Sequence, residues 1–264
     1  MNGTHRTKLV SMAAAVGAAL CLAQGTYGAV SIGLNFAGDV GGQLASSTSA
    51  GVTAVAQSSW NNLPAANSSN LPLLDSTGQA TSVTATYNSN YNSGYFAGNP
   101  QGFSAGSGNA LLNAQEIYGN PSVTISGIPY SQYDVYVYID SDQKDRGQAQ
   151  SLTALAGGTV NSTTYYQTPV GITGGSSISG TFVQGTNTDS TATNFSNSAY
   201  PLANYVLFQG NSATSIKLDV ATFGASGLAA IQIVEAIPEP ASLSLLAAGS
   251  LLLLGRRRRS AGRA

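Results

Sequence analysis

The sequence predicts an all-β body, a single antiparallel β-sandwich of the jelly-roll or galactose-binding-like kind, flanked by one hydrophobic helix at each end. Three observations predict it. Apolar residues recur at every second position in short runs, the gaps between runs are crowded with Gly, Asn, Ser and Pro, and the body holds no cysteine and few charges. An extended chain sends alternate side chains to opposite faces, so a period of two marks a half-buried strand. Turn formers in the gaps leave no room for crossover helices, which disfavours parallel βαβ units.

Taken in order, the first strand is Ser31-Ile32-Gly33-Leu34-Asn35-Phe36, with Ile32, Leu34 and Phe36 on one face. Period-two runs follow at Val83, Ala85 and Tyr87; at Val123 and Ile125; and at Tyr133, Val135, Val137 and Ile139. Further runs cover Ile178 to Val183, Tyr205 to Phe208, Ile216 to Val220 and Leu228 to Val234. The helical candidate, Ala110 to Tyr118, is short, and its Leu111, Leu112, Gln115 and Glu116 suit a packed loop equally well. No internal period is visible. About 210 residues with no linker or charge run read as one domain over 29–236. Without disulfides that domain rests on burial and sheet hydrogen bonding.

The ends differ from the body. His5, Arg6 and Lys8 precede the apolar run Leu9 to Ala23, the layout of a cleavable secretory signal over 1–28. About 15 apolar residues fall short of the roughly 20 that a permanent span needs. Cys21 lies inside this segment, and Ala18-Ala19-Leu20 before it does not form a lipobox. At the other end, Pro238-Glu239-Pro240 precedes the apolar run Ala241 to Leu254 and then Arg256, Arg257, Arg258 and Arg259. Prolines remove backbone donors and stiffen the approach, so the run is expected to be held off the domain as an accessible stalk. Fourteen helical residues reach about 21 Å against a core of about 30 Å, the length of a provisional anchor. The arginines hold its far end on the cytoplasmic side.

In this order the three parts of 237–264 resemble the PEP-CTERM sorting signal, a tail family of exported proteins in Gram-negative bacteria that export polysaccharide. The resemblance implies recognition and processing by an exosortase, a membrane Cys-His-Arg transpeptidase-like enzyme. The tail is also labelled an ice-binding protein C-terminal domain, a label that says nothing of the body. The phrases "SIGLNFAG", "QSSWNNLP", "LLDSTGQATSVTATY", "VTISGIPYSQYDVYVYIDSD", "NYVLFQG" and "GLAAIQIV" resemble a recurrent body type attached to such tails, one with no settled activity to carry over.

Seven of the ten Lys and Arg lie in the two ends. Lys144, Arg146 and Lys217 face ten acids in the body, a net charge near −7, which makes nucleic acid an unsuitable partner. The body has no histidine, since His5 leaves with the signal, and no cysteine. Ser-His-Asp and Cys-His catalysis and His-ligated zinc are thereby excluded, and no phosphate-binding loop motif is present. No catalytic, cofactor-binding or metal residues are assigned, and no cofactor is expected. Glycoside hydrolysis needs only two carboxylates about 5 to 9.5 Å apart, for which Glu116 and Glu235 are the glutamates available. Asp140, Asp142 and Asp145 follow the Tyr133 to Ile139 strand in a loop that reads either as a calcium site or, with Lys144 and Arg146 interleaved, as a solvated loop. Trp60, Tyr87, Tyr91, Tyr95 and Phe96 read either as sugar-stacking aromatics or as plugs and edge covers. Tyr133, Tyr136 and Tyr138 read as structural. The expectation is a non-enzymatic exported protein, membrane-anchored as a precursor and then at the cell surface or in the extracellular matrix, structural or adhesive. Its partners would be an exosortase, exopolysaccharide and, transiently, the inner membrane. The alternative is a carbohydrate-binding module with a defined glycan.

Overall fold

A computed structural model describes residues 30–236, except 37–41, 65–66, 90, 93–99, 144–145, 170, 174–177, 179, 191–199 and 223–225. The signal segment 1–28, the tail 237–264 and the two terminal helices expected there lie outside the described residues. The strands are β1 Ser31–Asn35, β2 Asn61–Asn62, β3 Ser68–Leu74, β4 Ala80–Asn88, β5 Tyr91–Asn92, β6 Ile117–Tyr118, β7 Ser122–Ser126 and β8 Tyr133–Gln143. They continue with β9 Gln148–Ala156, β10 Tyr165–Pro169, β11 Gly171–Thr173, β12 Gln184–Gly185, β13 Leu202–Ala203, β14 Tyr205–Asn211, β15 Ser215–Thr222 and β16 Ser226–Glu235. The described chain is all-β in two mixed sheets, neither closed into a barrel.

The first sheet runs β12-β14-β8-β16-β1-β2, with β11 on β8 and β6 linking β5 to β16. The second runs β13-β10-β9-β15-β7-β4-β3. One core joins them: Val135, Val137, Ile139, Ile231 and Ile233 from the first sheet meet Val83, Val123, Ile125, Ile216 and Leu218 from the second. These are the period-two positions of the sequence, each strand giving one apolar face to the common interior.

The wholly antiparallel expectation needs correction. All long ladders are antiparallel, yet β1–β2, β10–β13, β8–β11 and β12–β14 pair in parallel, each over two or three residues. These are loop segments that pass back along an exposed strand edge and satisfy a few of its backbone groups. The strand expected over 178–183 is also not found at its described residues, 178 and 180–183. There the side chain of Asn204 takes the place of a neighbouring strand, its Oδ1 accepting from Val183 N at 2.7 Å and its Nδ2 donating to Thr181 O at 2.9 Å. The helical candidate reduces to α1, Gly108–Leu112, capped by Ser107 Oγ, which accepts from Ala110 N at 3.2 Å. Beyond it Ile117–Tyr118 is strand.

The first sheet is buried on both faces. On the side away from the common core, Tyr136, Tyr138, Tyr205 and Leu207 pack with Leu44, Ala50, Trp60 and Leu112 in a second cluster. Residues of the segment 44–60 and of α1 thus form a partial third layer. Tyr138 fastens it: its hydroxyl donates to Gln232 Oε1 at 2.8 Å and accepts from Val52 N at 3.1 Å. Gln232 Nε2 in turn donates to Val55 O and to Gln57 Oε1. Replacing Tyr138 by Phe strips the partner from two groups in this layer, a loss of about 1–3 kcal/mol and several degrees of Tm for a domain of this size. Thermal unfolding of Tyr138→Phe against the parent checks it; a melt within a degree of the parent would show that water already serves these groups.

Candidate functional site

The sorting residues Pro238, Glu239, Pro240 and Arg256 to Arg259 lie outside the described residues, as do Tyr95, Phe96, Asp145 and Lys144. The side chains of Tyr91 and Asp142 lie outside them too. The remaining candidates can be placed.

Trp60 is buried at 5 % exposure, its indole N–H donating to Gln57 O at 3.0 Å. Its ring lies edge-on to Tyr138 at 6.0 Å and flat over β1, where a Cβ on Gly33 would come within 2.5 Å of Trp60 Cε3. Tyr87 is buried against Phe36 at 5.2 Å. Neither ring is available to stack on a sugar. Tyr133 and Tyr138 are fully buried and Tyr136 nearly so, the structural role read from the sequence.

Asp140 does not lie in a loop. β8 continues to Gln143, because β16 pairs with it as far as Ser226↔Ser141 and β11 pairs beyond. Asp140 Oδ1 accepts from Gln101 Nε2 at 3.0 Å and from Ser141 N at 2.8 Å. Among the described residues no group of three His, Cys, Asp or Glu converges as a metal site.

Glu116 and Glu235 are not brought together. Glu235 ends β16, whereas Glu116 Oε2 lies 3.0 Å from where a Cβ on Gly227 would stand, near the start of that strand. Eight residues of strand separate the two by roughly 27 Å. Instead Glu116 neighbours Asp140, which pairs with Gly227. Both carboxyl groups are sealed from solvent. At this end Gln148 crosses between the sheets, its Nε2 donating to Asp140 O at 3.0 Å and Gly227 O at 2.8 Å, while Gln150 Nε2 donates to Gln148 Oε1. Sequence reasoning passed over this polar end because glutamine at alternate inward positions carries no apolar period.

Two surface features remain. The outer face of the second sheet is a grid of short polar side chains. Thr153, Lys217, Thr124 and Thr86 stand side by side across β9, β15, β7 and β4, and Ser151, Asp219, Ser122 and Asn88 form the next row. Lys217 and Asp219 neutralise each other at 2.8 Å. The other feature is a cleft of about 370 Å³ with Ala54, Val55, Ala56 and Val234 in its wall and Ser31, Ser58, Ser76 and Thr77 at its polar side. It borders the β3–β4 turn, where slight burial of Asp75 is outweighed by hydrogen bonds from the Thr77 hydroxyl and from the Gln79, Thr77 and Gly78 backbone, so its pKa is lowered. β1 begins and β16 ends beside it, with Ser31 opposite Val234.

No family model, curated protein or solved structure matches the chain. Among the described residues, several buried tyrosines have raised pKa values. Burial, with the charges of Glu235 and Asp75 nearby, pushes Tyr130 up to about 12; burial alone raises Tyr133, and burial outweighs the Val52 hydrogen bond in raising Tyr138. An unfolded tyrosine ionises near pH 10, so between about 10 and 12 the unfolded chain has released protons that the folded chain retains. Stability is therefore complete below pH 10 and falls as pH rises beyond it. Urea unfolding at pH 7, 9, 10.5 and 11.5 should give equal midpoints at the first two values and falling ones at the last two. A midpoint constant to pH 11.5 contradicts the burial of these hydroxyls.

Proposed function

We propose that the chain is an exported, non-enzymatic surface protein, sorted through its PEP-CTERM-like tail and structural or adhesive in an exopolysaccharide matrix. Its two-sheet body is read as a β-sandwich of the galactose-binding-like or jelly-roll kind. The observation that carries the reading is the outer face of the second sheet. Rows of Ser and Thr hydroxyls and Asn, with a self-neutralised ion pair, offer donors and acceptors to polymer hydroxyls and no net charge to a polyanion. The sealed Glu116 and Asp140 and the buried Trp60 favour this reading over a hydrolase, since a polymer chain reaches none of them.

The path of the chain supports the sorting half. β1 starts and β16 ends at one pole, Glu235 N donating to Val30 O at 3.0 Å, so the signal and the tail leave the body side by side. A precursor held by both would rest that pole against the inner membrane and turn the polar sheet face toward the matrix. The partners are then an exosortase-type enzyme, exopolysaccharide and, transiently, the membrane.

Changing Pro238, Glu239 and Pro240 to Ala leaves the apolar run Ala241 to Leu254 and the four arginines intact. Membrane insertion should survive while maturation fails, seen on blots of fractionated native-host cells as precursor retained in the inner membrane. Equal shortened external protein from parent and triple variant would leave an ordinary tail anchor. For the adhesive half, sedimentation with the host's own exopolysaccharide should weaken several-fold in Thr86→Glu/Thr153→Glu; Thr86 Oγ1 accepts from Asn70 N at 3.0 Å, so the variant loses about 0.5–1.5 kcal/mol and melting verifies that it stays folded. The alternative, a module with a defined glycan, predicts one strong hit on a glycan array and indifference to those two substitutions.

A further inference from the structure

The cleft at the pole where β16 ends has an occupant within reach. We propose that it seats the chain's own Ile237–Pro240 segment, so that the Pro-Glu-Pro element lies docked on the body instead of standing off it. The inference rests on the cleft and the path of the chain, and it holds or fails independently of any processing enzyme.

Three constraints direct the segment there. The first is the loss of the ladder. Ala236 N still donates to Gln132 O at 2.9 Å, but Pro238 and Pro240 have no N–H, so β16 cannot continue its pairing with β1 and β8. Each proline also keeps the residue before it, Ile237 and Glu239, extended. An extended segment without ladder bonds adopts the polyproline conformation, the form that grooves take up at low entropic cost.

The second is reach. Two residues from Ala236 to Pro238 span at most about 7 Å, and four to Pro240 about 14 Å. Val234 lines the cleft, and Ala236 shares its face of the strand, two residues on. The segment therefore enters at the cleft's own edge. Tethering supplies an effective concentration in the millimolar range, so a weak contact is enough to hold it.

The third is size and chemistry. At about 370 Å³ the cleft is near the small end of ligand pockets, which run about 300–1,000 Å³, a volume suited to a few residues. Ala54, Val55, Ala56 and Val234 give apolar surface for two proline rings. Around them Ser31, Gln57, Ser58, Ser76 and Thr77 make a polar margin whose hydroxyl and amide donors can meet a Glu239 carboxylate, with Asp75 and Glu235 adjoining it but not lining it.

The body lacks cysteine, so an engineered pair reports cleanly. In the full chain carrying Cys21→Ser, Ala56→Cys with Pro238→Cys places one thiol in the cleft and one on the segment. Ser131→Cys with Pro238→Cys is the comparison, since Ser131 is exposed beside Gln132 at the same strand end but outside the cleft. A disulfide needs Cα atoms about 4.4–6.8 Å apart. Under limiting oxidant, purified protein without any processing enzyme should close the Ala56 pair about tenfold faster than the Ser131 pair, a ratio set by local concentration. Adding Thr77→Trp to fill the cleft should bring the first rate down to the second. Melting of the reduced variants confirms that each is folded. Equal rates, a faster Ser131 pair, or a disulfide-linked dimer through Ala56 in place of the internal bond would each overturn the proposal, the last by giving the cleft to a second copy. Because no processing is read, a negative result here leaves the triple-alanine blot to decide the sorting reading by itself.

Discussion

The structure depends on the satisfaction of one buried hydroxyl. Tyr138 lies on a strand enclosed on both faces, where an unbonded phenol would carry a desolvation cost of about 1–3 kcal/mol. Gln232 on the neighbouring strand and Val52 in the covering segment together answer it. Because Gln232 also reaches Val55 and Gln57, the same network ties the covering segment to the two central strands of the sheet. Trp60 then finds its place by contact with Tyr138 and by the missing Cβ of Gly33, where any side chain would strike the indole. Burying the first sheet twice is thus a matter of polar registration as much as of apolar area.

Two residues further along β8, on the side that faces the second sheet, the same logic is carried by amides. Gln148 stands on the second sheet but bonds to carbonyls of β8 and β16 on the first, so it joins the layers where the apolar core has run out. Gln150 braces it from the same face of β9, two residues along. A carboxamide offers two donors and an acceptor without charge, so Gln148 and Gln150 fill the inter-sheet space with polar groups that add no charge beside the buried carboxyls of Asp140 and Glu116. The body's low charge fits this construction, since solvent-facing strands use Ser and Thr where many proteins use Lys and Glu.

Much of this was legible in the residues. β1, β4, β7, β8 and β15 announce themselves by period two and contribute their predicted faces to the common core, while β14 and β16, legible as runs without an assigned face, contribute Val206 and Phe208, and Leu228, Ile231 and Ile233. β9 and β10 were not legible in this way, because inward Gln148, Gln150 and Gln167 interrupt the apolar alternation. β3 hid for a different reason: Asn70 has a left-handed φ of 51° and Pro72 breaks the pattern on what proves to be an edge strand. The reverse error, a strand over 178–183, arose because Phe182 is apolar for the second cluster's sake while Asn204 meets the backbone's needs. Of the candidate site residues, Trp60 and Tyr87 are buried as the structural reading required, but Trp60 packs over β1 in the second cluster instead of plugging the sandwich end, and Tyr87 sits in the common core on an interior strand instead of covering an edge, while Asp140 lies in strand. What no sequence pattern could show is that the start of β1 and the end of β16 meet beside one cleft.

The pairing of β1 with β16 also fixes when the body can form. β16 is a central strand of the first sheet, between β1 and β8, yet it is the last strand among the described residues, and Ser31 waits about 200 residues for Val234. Contacts so distant in sequence close late and slowly. A nascent chain without Ser226–Glu235 has a first sheet split down its middle, with β1 and β8 each showing an open edge. Under the proposed export route, that order of assembly would delay compaction of the first sheet until Ser226–Glu235 had arrived on the far side.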